Sequence, residues 1–287
     1  MEGQLWLAML SVLAQVDKRR KRAAEDFGDE DIVKTFYWCV IHDRPVSWAL
    51  DRKNWPLHLR RHRLPSNTTM SRRLRTPSVL KLLDALEQRV TKPAQGGLYW
   101  MIDGKPLVIS GVSKDRQAGY GRAARSMARG YKLHAITDTQ NALAAWRLAP
   151  MNVDERVMAA RMLRTVEIKG YVAADANYDS NSLHIICTAR ENLQLVTPRR
   201  YGPGRKVGHR SQSPGRLRSI ELLENPKPKF GRKLLHDRGA IERTFGNATN
   251  WGGGLTHLPL WARTYRRVRR WVQAKLALTA MRRDAIT

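Results

Sequence analysis

The spacing of apolar residues along the chain changes at about residue 98. Before it, apolar residues recur three or four positions apart, as at Ile32, Phe36 and Val40, which is the spacing of one helix face. After it, short apolar runs alternate with longer amphipathic segments, which is typical of strands that alternate with helices. The pattern predicts a helical region over residues 1–92 and an α/β region over residues 98–287.

A basic segment in the helical region starts at Ser66 or Asn67, directly after Pro65. Ser and Asn are favoured helix caps, so we expect a short helix here, the second of a helix-turn-helix. Arg72 and Arg73 would then contact DNA phosphates. A capped surface helix with a solvated basic face accounts for the same residues, and the sequence leaves both interpretations open.

Three acidic residues of the α/β region stand in contexts that suit metal binding. Asp103 and Asp175 each end a short apolar run that is predicted to be a strand, and Glu242 lies in a segment predicted to be helical. One such acid alone is more often a turn or surface residue. Three carboxylates that converge from distant positions form the hard oxygen ligand set that two divalent cations require.

Two further segments are strongly basic. Residues 199–232 combine many basic residues with glycine and proline, which predicts an irregular basic loop. The last helical segment starts at about Leu260 and interleaves Arg266 and Arg270 with apolar residues such as Trp271. We expect its apolar face to pack on the sheet and its basic face to contact DNA; a membrane-surface helix is the alternative interpretation.

Four motifs, in this order and spacing, resemble a DDE transposase of bacterial insertion sequences. They are residues 102–104, 130–134, 174–180 and 238–245. The resemblance covers about residues 98–287. It implies an α/β fold with a ribonuclease-H-like mixed sheet that is flanked by helices and preceded by a small helical DNA-binding region.

The same resemblance assigns roles to individual residues. The two Asp and one Glu of the family match Asp103, Asp175 and Glu242, which would hold two Mg²⁺ ions, with Mn²⁺ as a possible substitute. Many relatives carry Tyr and Lys where this chain has Leu235 and Thr249, and this departure concerns the handling of DNA ends more than the cleavage chemistry.

Two basic residues near these motifs are candidates for phosphate contacts. Arg238 lies four residues before Glu242, on the same helix face, where it would either clamp a phosphate or simply pair with Glu242. Lys132 lies in the second motif and is a weaker candidate.

The charge of the chain supports a polyanionic partner. There are 52 Lys and Arg residues against 25 Asp and Glu, a formal net charge of +27. Double-stranded DNA is the first candidate and an anionic membrane surface the second. The two cysteines show neither a disulfide pattern nor zinc spacing, and no apolar run reaches the roughly 18 residues of a membrane helix.

Together these observations predict a transposase that binds the ends of its own element, cleaves one strand and joins the 3′ end to a target. The resemblance further implies a homodimer on DNA and a cytoplasmic, nucleoid-associated protein. Two alternatives remain: a ribonuclease-H-like nuclease without strand transfer, and a DNA-binding protein of transposase descent that has lost catalysis.

Overall fold

The computed structural model describes residues 2–16, 26–60, 62–91, 97–123, 126–201, 211–224, 229–249, 254–255 and 258–284. The chain forms two compact units. The first, called here the helical unit, combines Met1–Thr91 with Ala248–Thr287. The second, the sheet unit, is Lys92–Asn247.

The helical unit is built from amphipathic helices that share one core. Its helices are α1 (Glu2–Val16), α2 (Asp29–Ile41), α3 (Val46–Ala49), α4 (Asn67–Arg73), α5 (Pro77–Thr91) and α11 (Tyr265–Asp284). Three tryptophans pack in this core: the ring centroid of Trp38 lies 5.1 Å from that of Trp6 and 4.7 Å from that of Trp55.

From the sequence, we expect the closing helix α11 to pack on the sheet. In the structure it packs against α5, α1 and α2. Its buried polar residues explain the difference. The Gln273 side-chain amide donates to the carboxylates of Asp84 and Glu87 on α5. The buried ammonium of Lys275 donates to the carbonyl of Val40 and pairs with Asp43. Buried polar groups need such partners, and here they are found on helices.

Helix α4 begins where the sequence predicts. The Ser66 hydroxyl accepts from the backbone N–H of Thr69 at 3.1 Å, as a helix cap does. Residues 50–66 separate α3 from α4, and the described residues among them form two 3₁₀ turns, at Arg52–Asn54 and Leu57–Leu59. This connection is longer than the 3–4-residue turn of a helix-turn-helix.

The sheet unit contains a six-stranded mixed sheet. Its strands are β1 (Tyr99–Val108), β2 (Gly119–Ala123), β3 (Ser126–Thr137), β4 (Leu143–Pro150), β5 (Gly170–Ala173) and β6 (Leu193–Val196). The main order is β2-β3-β1-β5-β6, and β4 pairs with the C-terminal half of β3. Strand β1 is antiparallel to β3 and parallel to β5, which is parallel to β6.

Helices cover both faces of this sheet. They are α6 (Glu155–Leu163), α7 (Asn181–Thr188), α8 (Pro214–Glu224), α9 (Lys229–Asp237) and α10 (Gly239–Thr249), of which the last two residues are counted with the helical unit. Trp100 and Ile102 of β1 pack in one core with Met162 of α6 and Leu183 of α7. On the opposite face, the Tyr99 hydroxyl donates to the carbonyl of Leu234 in α9. The predicted ribonuclease-H-like fold class is confirmed.

The basic segment 199–232 differs from the predicted irregular loop. Helix α8 and the start of α9 lie within it. Arg216 of α8 donates to both carboxylate oxygens of Asp179, each at 2.7 Å, and Arg199 pairs with Glu224. These ion pairs and the contacts of α8 with α7 and β6 hold helix α8 in place. Residues 202–210 and 225–228 lie outside the described part.

None of the helices in the described part of the chain combines the length with the apolar character needed to cross a bilayer.

Candidate active site

The strand register brings Asp103 and Asp175 to the same edge of the sheet. In the parallel pair β1–β5, Met101 is the partner of Ala173. Two residues further along each chain, Asp103 therefore lies beside Asp175, just beyond the last paired residues of β5. The sequence predicts that this strand ends at Asp103. Strand β1 instead continues to Val108, because β3 still pairs with it.

The Asp103 carboxylate is partly buried, and its Oδ1 accepts a 2.7 Å hydrogen bond from the Gly104 N–H. Burial raises the pKa of this carboxyl to about 6. The hydrogen bond opposes the shift, the charge of Asp175 adds to it, and the nearby guanidinium of Arg238 opposes it. The surroundings of Asp103 thus disfavour its charged form.

Asp175 is fixed by the turn that follows it. It caps the 3₁₀ turn Ala176–Tyr178: Oδ1 accepts from the Asn177 N–H at 2.8 Å and Oδ2 from the Asn177 side-chain amide at 3.3 Å. The short apolar strand β5 followed by this turn holds the carboxylate at the strand end.

Glu242 stands apart from the two aspartates. It lies in the first turn of α10, its side chain is 67% exposed, and its Oε1 is 3.8 Å from Nη2 of Arg238. Within the described ranges, no group of three or more His, Cys, Asp or Glu side chains is placed to hold a metal ion. The structure brings Asp103 and Asp175 together and connects Glu242 to them through Arg238.

The comparison with protein families agrees with this geometry. A family model described as "Transposase DDE domain" matches residues 99–279, more than half of the chain. The chain belongs to the DDE transposase family. Comparison with curated proteins gives no match. DDE transposases act on DNA and generally use divalent metal ions.

Glu155 is a residue of this DDE domain that the sequence analysis did not identify. It is the first residue of α6, whose cap is Asp154, and it pairs with the buried ammonium of Lys132 on β3. Burial raises the pKa of Tyr178, and the charges of Glu155, Asp103 and Asp175 add to this rise. The charges of all three carboxylates thus act on one buried tyrosine. Glu155 looks like an ordinary first-turn acid in sequence, and only the fold shows its pairing with Lys132.

The glycine of the Ile-Asp-Gly motif, Gly104, lies close to two side chains of β3. A Cβ at Gly104 would lie 2.9 Å from Cδ of Lys132 and 3.3 Å from Nδ1 of His134. His134 is fully buried, and neither ring nitrogen has a hydrogen-bond partner among the described residues. Burial, aided by the charge of Lys132, lowers the pKa of His134 to about 4, so the ring is neutral.

The basic residues predicted to contact DNA fall into two groups. Arg72 and Arg266 are exposed, and Arg238 is half-buried beside Glu242. Arg73 is instead buried, and its Nη2 pairs with Asp29 at 2.7 Å, so its guanidinium stabilises the helical unit. Lys132 is likewise buried in its ion pair with Glu155. Arg270, the last of the set, is buried without an ion-pair partner among the described residues.

Proposed function

We propose that the protein is the transposase of an insertion sequence, which binds the ends of its element and catalyses Mg²⁺-dependent DNA strand cleavage and strand transfer. The observation that supports this most is the β1–β5 register, which puts Asp103 beside Asp175 inside the region matched by the DDE family. In this proposal Asp103, Asp175 and Glu242 are the catalytic metal ligands.

The residues fit a divalent cation. Asp103 and Asp175 offer hard oxygen ligands at one sheet edge, and their mutual repulsion and burial would be relieved by a positive ion. Glu242, whose side chain is 67% exposed, would complete the ligand set. Two Mg²⁺ ions, or Mn²⁺ in their place, would activate the attacking oxygen and stabilise the leaving oxygen.

The chain's own residues bind and orient the DNA. The Arg238 guanidinium lies beside Glu242, and its charge acts on Asp103, so it suits a phosphate next to the scissile bond. In the first step water attacks a phosphodiester and releases a 3′-hydroxyl with a 5′-phosphate. In the second step this 3′-hydroxyl attacks a target phosphodiester, which joins the element end and releases a target 3′-hydroxyl.

We propose further that the protein acts as a homodimer on DNA and is a cytoplasmic, nucleoid-associated protein. The family supports the first proposal, and the large positive charge supports the second. Light scattering of the protein with and without an element end measures the number of chains per complex.

The product distribution tests the proposed function. The purified protein is incubated in Mg²⁺ with a labelled duplex that carries the repeat flanking its reading frame, together with a target plasmid. The proposal predicts nicks at the repeat boundary and joined product. Nicks without joined product would indicate a nuclease, and a mobility shift without nicks would indicate a DNA-binding protein that has lost catalysis.

A further inference from the structure

A basic pocket lies within the helical unit, beside α4 and the start of α11. Its volume is about 500 Å³, in the range of small-ligand sites. Four arginines line it: Arg75, Arg266, Arg267 and Arg270. We call it the arginine pocket.

The charge of the arginine pocket is not compensated within the described part of the chain. No acidic residue lines the pocket, and none of the four guanidiniums forms an ion pair with a described residue. Burial and, to a smaller extent, the charges of Arg267, Arg75 and Arg266 together lower the pKa of Arg270 to about 10. Positive charges that converge in this way repel one another unless an anion lies between them.

Two buried donors of the pocket also lack acceptors. Arg270 is only 9% exposed, and its Nε–H has no hydrogen-bond partner among the described residues. The same holds for the indole Nε1–H of Trp261. Buried donors are rarely left unpaired in folded proteins, so the pocket suits a group that accepts hydrogen bonds.

We propose that the arginine pocket binds a backbone phosphate of DNA. A phosphate oxygen is a pure acceptor with negative charge, and a guanidinium donates to it in a fixed fork. Helix α4 contributes Asn67 and Ser71 to the same wall, so a phosphate held here would place the exposed Arg72 near the same duplex. The choice of DNA as the ligand rests on the proposed function. The inference adds to it a phosphate site that is built by Arg75, Arg266, Arg267, Arg270 and Trp261.

The decisive variant is Arg270→Met, which removes the buried charge and keeps the length of the side chain. Because it relieves repulsion, the variant should be at least as thermally stable as the wild type. Its affinity for duplex DNA should fall about tenfold or more, and the slope of log K against log salt concentration should decrease by about one. Arg52→Met, an exposed arginine outside the pocket, is the matched control.

Inorganic phosphate serves as a second probe. Relative to chloride at equal ionic strength, phosphate should raise the melting temperature of the wild type more than that of Arg270→Met, which keeps only the general stabilising effect of phosphate. If Arg270→Met does not fold, Arg267→Gln replaces it as the test variant, because Arg267 lines the pocket at an exposed position. Arg267→Gln should also weaken DNA binding.

The outcomes separate this inference from the proposed function. Equal affinity and salt slope for Arg270→Met and Arg52→Met would overturn the inference, even if the wild type nicks and joins DNA. Loss of the phosphate effect with unchanged DNA binding would show a site for a free anion and would also overturn it. Weaker DNA binding by the variant, with a wild type that neither nicks nor joins, would support the pocket and reject the transposase activity.

Discussion

At the scale of the residue, the charged form of Asp103 is expected to lower the stability of the folded protein. Its folded pKa of about 6 lies above the ordinary value of 3.8. An acid with a raised pKa favours the protonated form, so the folded state loses stability as pH rises from about 4 to about 6. Asparagine at this position stays neutral and removes the cost.

Asp103→Asn should therefore become more stable than the wild type as pH rises. In the absence of divalent ions, the difference in free energy of unfolding should grow between pH 4 and pH 6 to at most about 3 kcal/mol. Urea denaturation at several pH values measures it. Asp154→Asn is a control of opposite sign, because Arg156 lowers the pKa of the exposed Asp154. A difference that is constant with pH for Asp103→Asn would contradict the predicted burial cost.

Glu155→Gln tests the ion pair beside the aspartates. The Lys132 side chain is only 10% exposed, so loss of its partner leaves a buried charge and should lower the free energy of unfolding by about 3 kcal/mol. The double variant with Lys132→Met should recover much of that loss. Glu191→Gln, at an exposed acid, should be nearly neutral. If Glu155→Gln were no more destabilising than Glu191→Gln, the pair would have no structural role.

At the scale of the element, the start of β5 depends on one glycine. Gly170 has a φ of +93°, and a Cβ there would lie 2.1 Å from the carbonyl oxygen of Leu98. The backbone N–H of Tyr171 donates to the same carbonyl at 2.8 Å. This contact sets the register that brings Asp175 to Asp103.

Gly170→Ala should destabilise the fold by at least about 2 kcal/mol, since it combines backbone strain with a backbone clash. Thermal or urea unfolding measures the loss. Gly111→Ala is the matched control, because nothing lies within 4 Å of the added carbon. Equal stability of the two variants would mean that this close approach is not needed for the fold.

The sequence predicts some elements well because their signals are local. The apolar run before Asp175 and the Ser66 cap of α4 are both read within a few residues. Ion pairs between residues that are distant in sequence cannot be predicted from such local signals. The pairing of Arg73 with Asp29, and that of Lys132 with Glu155, depend on how helices and strands pack.

The same limit explains the placement of α11. Its pattern of apolar and basic residues indicates an amphipathic helix but does not say which surface it covers. Gln273 and Lys275 find their partners on α5 and near the end of α2, so α11 joins the helical unit.

At the scale of the whole molecule, DNA binding and DNA cleavage are proposed to depend on different residues. The net charge of +27 favours binding to any duplex, whereas cleavage is proposed to depend on three carboxylates. A change at one carboxylate should therefore abolish cleavage and leave DNA binding and folding intact.

Asp175→Asn is the most direct test of this claim. Asparagine keeps the acceptor for the Asn177 N–H and caps a helical turn as well as aspartate does, so the variant should fold and bind element ends with nearly wild-type affinity. Loss of a ligand charge should raise the barrier to cleavage by several kcal/mol, and each 1.4 kcal/mol is about tenfold in rate. Asp154→Asn, an exposed cap, should cleave normally.

The measurement is the rate of strand nicking on a labelled element end in Mg²⁺, with a binding assay on the same proteins. The account predicts a fall of about 100-fold or more for Asp175→Asn with binding retained. A folded Asp175→Asn protein that cuts at the wild-type rate would contradict it.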